Sequence, residues 1–189
     1  YIHGVTLPSL AGMLTRLYMT RYGLTREHLA KVSVKNHMNA LKNPYAHIHQ
    51  AITLEGICTS GAAEVNNPLI ADPIRLYDCC PVTDGAASLL LCSRDKLKEF
   101  GQKPVRITGV GQATDTHAIH ERKDPTVLNA VKISAERAFA MAKLNPRDID
   151  VAELHDAFEI LEIAESEDAG FFQKGTAHKA IDKGETLIG

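Results

Sequence analysis

Apolar residues near the start of the chain recur at helical spacing. After Thr6 and Pro8, Leu10, Met13, Leu14, Leu17 and Tyr18 line one side until Gly23, which predicts a helix capped by Thr6, with proline in its first turn and a glycine stop. Thr25 opens a second helix whose inward positions are Leu29, Val32, Asn36 and Ala40, ended by Asn43-Pro44, because a residue before proline is pushed out of the helical region. Residues 44–78 lose this regularity. Pro44, Gly56, Gly61, Pro68 and Pro73 interrupt every periodic run, leaving a loop-rich excursion with at most a short strand over 50–54. Excursions of this length are usually lids or binding loops.

From Ala87 the pattern changes. ASLLLC is continuously apolar and flanked by Asp84-Gly85 and Ser93-Arg94, which suits a strand buried on both faces. A short helix capped by Asp95 follows. PVRITGV (104–110) alternates as a second strand does, Val127, Ala130, Val131, Ala138, Met141 and Ala142 mark a helix over 126–144, and residues 150–154 make a third short strand ahead of an acidic helix. Strand, helix, strand, helix is the order of an α/β layered fold.

Composition narrows the picture. The chain has 189 residues, 44% of them hydrophobic and 23% charged, enough for a packed core. No apolar run approaches a membrane span, and YIHGVTLPSL lacks the basic flank and apolar centre of a signal peptide, so a cytoplasmic home is expected. Cys58, Cys79, Cys80 and Cys92 lack zinc-site spacing and read as free thiols. A net charge of −2 argues against nucleic-acid binding. The sign is uneven, however: residues 1–50 carry Arg16, Arg21, Arg26, Lys31, Lys35 and Lys42 against Glu27 alone. That end reads either as a solvated helix face or as a surface facing an anionic ligand. The chain begins at Tyr1 and ends at Gly189 after GETLIG, which reads as an excerpt of a longer protein.

Most candidate motifs are weak. GVGQAT at Gly109 falls short of GxGxxG because Thr114 stands where glycine is needed. The pairs His47/His49 and His117/His120 have no recognisable third ligand, so no metal is expected. Glu162, Glu165, Glu167 and Asp168 read as an exposed helix face, and Asp156, Glu159 and Glu162 suit the positive end of the helix dipole. His155 differs. It follows the strand-like VAEL at the end where open α/β sheets place their ligands, and there a ring N–H can face a carbonyl oxygen or water.

HDAF (155–158), preceded by DIDVAEL and followed by an acidic helix ending DAGFF, resembles the second-half signature of thiolases of the archaeal and sterol-carrier-type branch, where HDxF replaces NEAF. SVKNHMNALKNPYAH (33–47), CCPVTDGAASLLLCS (79–93) and GVGQATDT (109–116) resemble further segments of that branch, in the same order. The resemblance covers nearly the whole chain. It implies a thiolase-like α/β/α/β/α layered fold, incomplete here: a loop-domain segment over 1–78, the last strand and helix of the N-terminal half over 79–100, and the start of the C-terminal half over 101–189.

The activity implied is acyl transfer with carbon–carbon bond formation or cleavage on acetyl-CoA or 3-ketoacyl-CoA, by an acylated cysteine and a second cysteine acting as base. The nucleophile is expected before Tyr1, and the GHP histidine and second cysteine after Gly189. The chain alone is therefore expected to be inactive. His155, matching the asparagine of NEAF, is implied as an oxyanion-site residue and Asp156 as its support. Cys80, Pro81 and Phe158 are implied against pantetheine, and His3 and Gly4 beside the acyl pocket. Coenzyme A enters as a substrate moiety, with no resident cofactor. A homodimer or tetramer is implied, as is association with a hydroxymethylglutaryl-CoA synthase. The alternative is a non-catalytic acyl-CoA- or lipid-binding module, or a scaffold.

Overall fold

The computed structural model describes residues 4–58, 61–101 and 103–188. Two long helices form its frame. In α1 (Leu7–Tyr22), Thr6 Oγ1 accepts from the Ser9 N–H at 3.4 Å, and Gly23, at φ +77°, ends the helix by donating to the Met19 carbonyl. In α2 (Arg26–Ala40) the Thr25 hydroxyl accepts from the His28 N–H, while His28 Nδ1 accepts from the Thr25 N–H at 2.9 Å. Both caps satisfy amides that a helix start leaves orphaned.

The excursion that follows is more ordered than its sequence suggests. No strand forms over 50–54. Instead Thr53 Oγ1 accepts from the Gly56 N–H at 3.1 Å and starts α3 (Leu54–Cys58). α4 (Ala62–Asn66), β1 (Leu69–Ala71) and β2 (Ile74–Arg75) come next, the strands pairing antiparallel around a tight turn. Asn67 knits this region together, donating to the Ile57 carbonyl and accepting from the Tyr77 N–H.

After a short 3-10 turn over Arg94–Glu99, α5 (Asn129–Ala142) is ended by left-handed Lys143 at φ 58°. It is shorter than 126–144 because Thr126 is buried in a turn, donating from N–H and hydroxyl to Asp124 Oδ1. α6 (Glu159–Asp168) and α7 (Ala177–Asp182) complete the elements. The core joins α1, α2, α6 and α7 through Tyr18, Leu29, Val32, Ile160, Ile163, Ala177 and Ile181, with Ile74 beneath.

The main departure concerns the expected strands. Residues 87–92, 104–110 and 150–154 form none, and the β1–β2 hairpin is the sheet found among the described residues. A strand exists only when a neighbour takes its backbone N–H and C=O groups. Among the described residues no backbone pairs with them, and Leu89, Leu90 and Leu91 stand 81%, 73% and 67% exposed.

The acids of α6 are a second departure, since they are not a solvated face. Glu162, Glu167 and Asp168 are only 9%, 5% and 9% exposed. Glu167 accepts from the Tyr18 hydroxyl at 3.0 Å and the Ala177 N–H at 2.9 Å. Asp168 accepts from the Leu128 N–H and from Lys174. They are pins joining α6 to α1, to the start of α5 and to α7.

Candidate active site

The residues singled out at 155–158 form the turn that leads into α6, and each is held separately. The His155 N–H donates to Glu165 Oε2 at 2.9 Å, one of the reasons Glu165 sits in its half-buried place. Asp156 Oδ2 accepts a short hydrogen bond from Asn36 Nδ2 on α2. The Ala157 carbonyl accepts from the Cys80 N–H at 3.1 Å, and Phe158 bridges Cys79 in antiparallel fashion. The CC and HDAF segments, far apart in sequence, therefore meet. The Phe158 ring packs on the core as the residue before α6. The imidazole of His155 is exposed and the strand expected before it is absent.

Beneath the turn, Asp156, Glu159 and Glu162 recur at i, i+3 and i+6 and bring carboxylate oxygens within 4.8 Å of one another. Lys35 pairs closely with Glu162, and Asn36 Nδ2 also donates to Glu162 Oε2 at 2.9 Å. Burial, then the charge of Glu162, pushes the Asp156 carboxyl up to about 6. Burial and the neighbouring Asp156 push Glu159 well above the usual carboxylate range. Desolvation penalises each charge, and like charges add to the penalty. These are the residues whose donors converge enough for a cation, but Lys35 and Asn36 already occupy Glu162 and Asp156. Among the described residues neither histidine pair joins such a group.

A cavity of about 840 Å³ opens beside this cluster, lined by Lys35, Asn36, Lys42, Asp156, Phe171 and Leu187 among others. A second, shallower hollow of about 970 Å³ lies between residues 110–114 and α5. Its glycines answer the GVG motif: a Cβ on Gly109 would lie 2.2 Å from the Ala138 carbonyl oxygen, and one on Gly111 1.9 Å from that of Ser134. They let the chain press against α5, a packing need rather than a phosphate cradle.

Of the other expected site residues, Cys80 and Pro81 are exposed beside the turn, and Gly4 is exposed at φ +69° with no neighbour within 4 Å of a built Cβ. His3 lies outside the described residues. The basic end is largely spent internally: Arg16 pairs with Asp72, Arg21 with Asp124, Arg26 with Asp78, and Lys31 with Glu27 and Asp182. Lys42 faces the cavity. Sequence reasoning missed Lys35, Asn36, Glu159 and Glu162 as a buried group. The available signal was Asn36, a polar residue at an inward position of α2.

Residues 1–95 match the family model "Thiolase, N-terminal domain", and residues 111–189 match "Thiolase C-terminal domain-like". The acetyl-CoA acetyltransferase of Methanothermobacter thermautotrophicus is 45% identical over 98% of this chain and 46% of its own length. That of Methanocaldococcus jannaschii is 43% identical over 95% and 45%. The solved structure titled Ltp2-ChsH2(DUF35) aldolase superposes with a TM-score of 0.80 at 28% identity, over 96% of this chain and 47% of that one. The chain thus spans a little under half the length of these relatives.

Proposed function

Because this chain belongs to the thiolase family, we propose that it is the middle portion of an acyltransferase that makes or breaks the carbon–carbon bond beside a coenzyme A thioester. The observation that supports this most is the pinned HDAF turn lying on Cys79–Cys80. In such a reaction negative charge gathers on a thioester oxygen, and a preorganised donor aimed there is worth about 3 to 4 kcal/mol of barrier. His155 is that donor, with one ring N–H aimed at the oxygen. Asp156 supports it. Cys80, Pro81 and Phe158 line the pantetheine arm, with Gly4 nearer the acyl group.

The resident cysteines do not act as nucleophile. The Cys79 thiol is pushed up to about 11 by burial and the adjacent Asp78, and a thiolate is what reacts. Cys80 and Cys92 are exposed and Cys58 is half-buried. The covalent step belongs to a cysteine elsewhere in the complete protein, which works as a cytoplasmic homodimer or tetramer, with a hydroxymethylglutaryl-CoA synthase as a candidate partner. The same state of the cysteines favours a second reading, a non-catalytic acyl-CoA-binding module. Steady-state thiolysis of acetoacetyl-CoA separates them. The full-length protein turns over, His155→Ala lowers kcat about a hundredfold with a much smaller effect on KM, and the 189-residue chain alone is inactive. Wild-type rates in His155→Ala remove the residue from the reaction, and an inactive full-length protein that still binds acyl-CoA favours the module.

A further inference from the structure

Four consecutive residues, 155–158, are each fixed by a partner outside the turn: Glu165 on α6, Asn36 on α2, Cys80 and Cys79. Behind them three acids face one lysine in a largely buried space. Glu159 is 6% exposed, and its Oε2, like Asp156 Oδ1, meets no donor among the described residues. Replacing buried, imperfectly paired charges by apolar groups of similar shape is commonly neutral or stabilising. Folding alone therefore does not account for this cluster, and groups of this kind gather where a turn must be held in one geometry.

Lys35, Asn36 and Ser33 face the cluster from α2, Asp78 with its partner Arg26 from the segment before Cys79, and Glu165 from the next turn of α6. Lys35 answers one negative charge and Arg26 answers Asp78. An excess of acid over base remains in this space, and burial pushes both the Asp156 and the Glu159 carboxyls upward.

We infer that Asn36 and Lys35 of α2, acting through the Asp156–Glu159–Glu162 cluster, are positioning residues that set the turn from which the His155 imidazole projects. The inference rests on the reading of His155 given above. None of these side chains need touch substrate; α2 delivers its effect 120 residues along the chain through one amide and one ammonium. The loop-domain helix and the oxyanion turn thus become one mechanical unit.

Two readouts on the full-length protein test this: the NMR titration of the His155 ring, and kcat and KM for acetoacetyl-CoA as functions of pH. Asn36→Ala removes the hydrogen bonds to Asp156 and Glu162. It shifts the His155 ring signals and lowers kcat about tenfold, with KM changed by less than about twofold. Glu159→Gln, close in shape, leaves Asp156 beside an amide, so the acid limb of the kcat profile moves to lower pH. His155 signals and pH profiles that coincide with wild type in both variants overturn the inference. If Asn36→Ala does not fold, the near-isosteric Glu159→Gln decides alone. If the wild-type protein performs no thiolysis, the functional reading fails, while the ring titration still decides whether α2 positions His155.

Discussion

Asp156 combines two demands on one side chain, a hydrogen bond to Asn36 and a place among other acids, and the conflict has a thermodynamic signature. Burial and the charge of Glu162 push its carboxyl up from an ordinary 3.8 to about 6. A raised acid holds its proton more tightly in the folded state. Its stabilising contribution is therefore complete below about pH 4 and is lost as pH climbs to about 6, by up to about 3 kcal/mol. Asp156→Asn, which cannot ionise, escapes that loss. Denaturant melts of the full-length protein should show the variant gaining on wild type from pH 4 to 6 and holding its advantage above. A parallel pair of curves would mean the carboxyl is not buried as described. At this scale the sequence was partly legible. HDAF singled out His155 and Asp156, whereas the acids of α6 read as solvent-facing. Their partners Lys35 and Tyr18 come from helices more than a hundred residues earlier, and spacing within one helix carries no record of them.

Elements show a sharper division. The helices α1 and α2 could be read nearly to the residue because their determinants are local: Thr6, Pro8 and Gly23 for one, Thr25 and the bend before Pro44 for the other. Strands have no such autonomy. Residues 87–92 carry a strand's composition and still form none, since pairing depends on backbone that lies elsewhere. The GVG run was ambiguous for a related reason, its glycines answering to α5 rather than to anything beside them in sequence. Gly111→Ala would bring a methyl group 2.8 Å from the Ser134 carbonyl carbon and 3.0 Å from the Ala138 nitrogen. We expect a loss of about 1 to 3 kcal/mol, measured by urea unfolding. Gly85→Ala, where nothing lies within 4 Å, serves as the comparison and should change little.

At the scale of the whole molecule, the well-packed part is the helical frame of α1, α2, α6 and α7, and the site turn grows from its rim. Outside it Val82, Leu89, Leu90, Val105 and Val151 lie open. The chain spans a little under half of its archaeal relatives, and Leu89, Leu90, Val105 and Val151 fall in the segments that read as strands. No helix among the described residues is long and apolar enough to cross a membrane. The family could be recognised from four ordered motifs, while the arrangement that holds the turn at 155–158 depends on contacts between α2, the CC segment and α6 that only the fold displays. The most direct measurement is a crystal structure of the full-length protein with acetoacetyl-CoA or a non-hydrolysable analogue bound. A His155 ring nitrogen is expected about 3 Å from the thioester oxygen, or joined to it through one water. A ring turned to bulk solvent, with the thioester bound elsewhere, would contradict it.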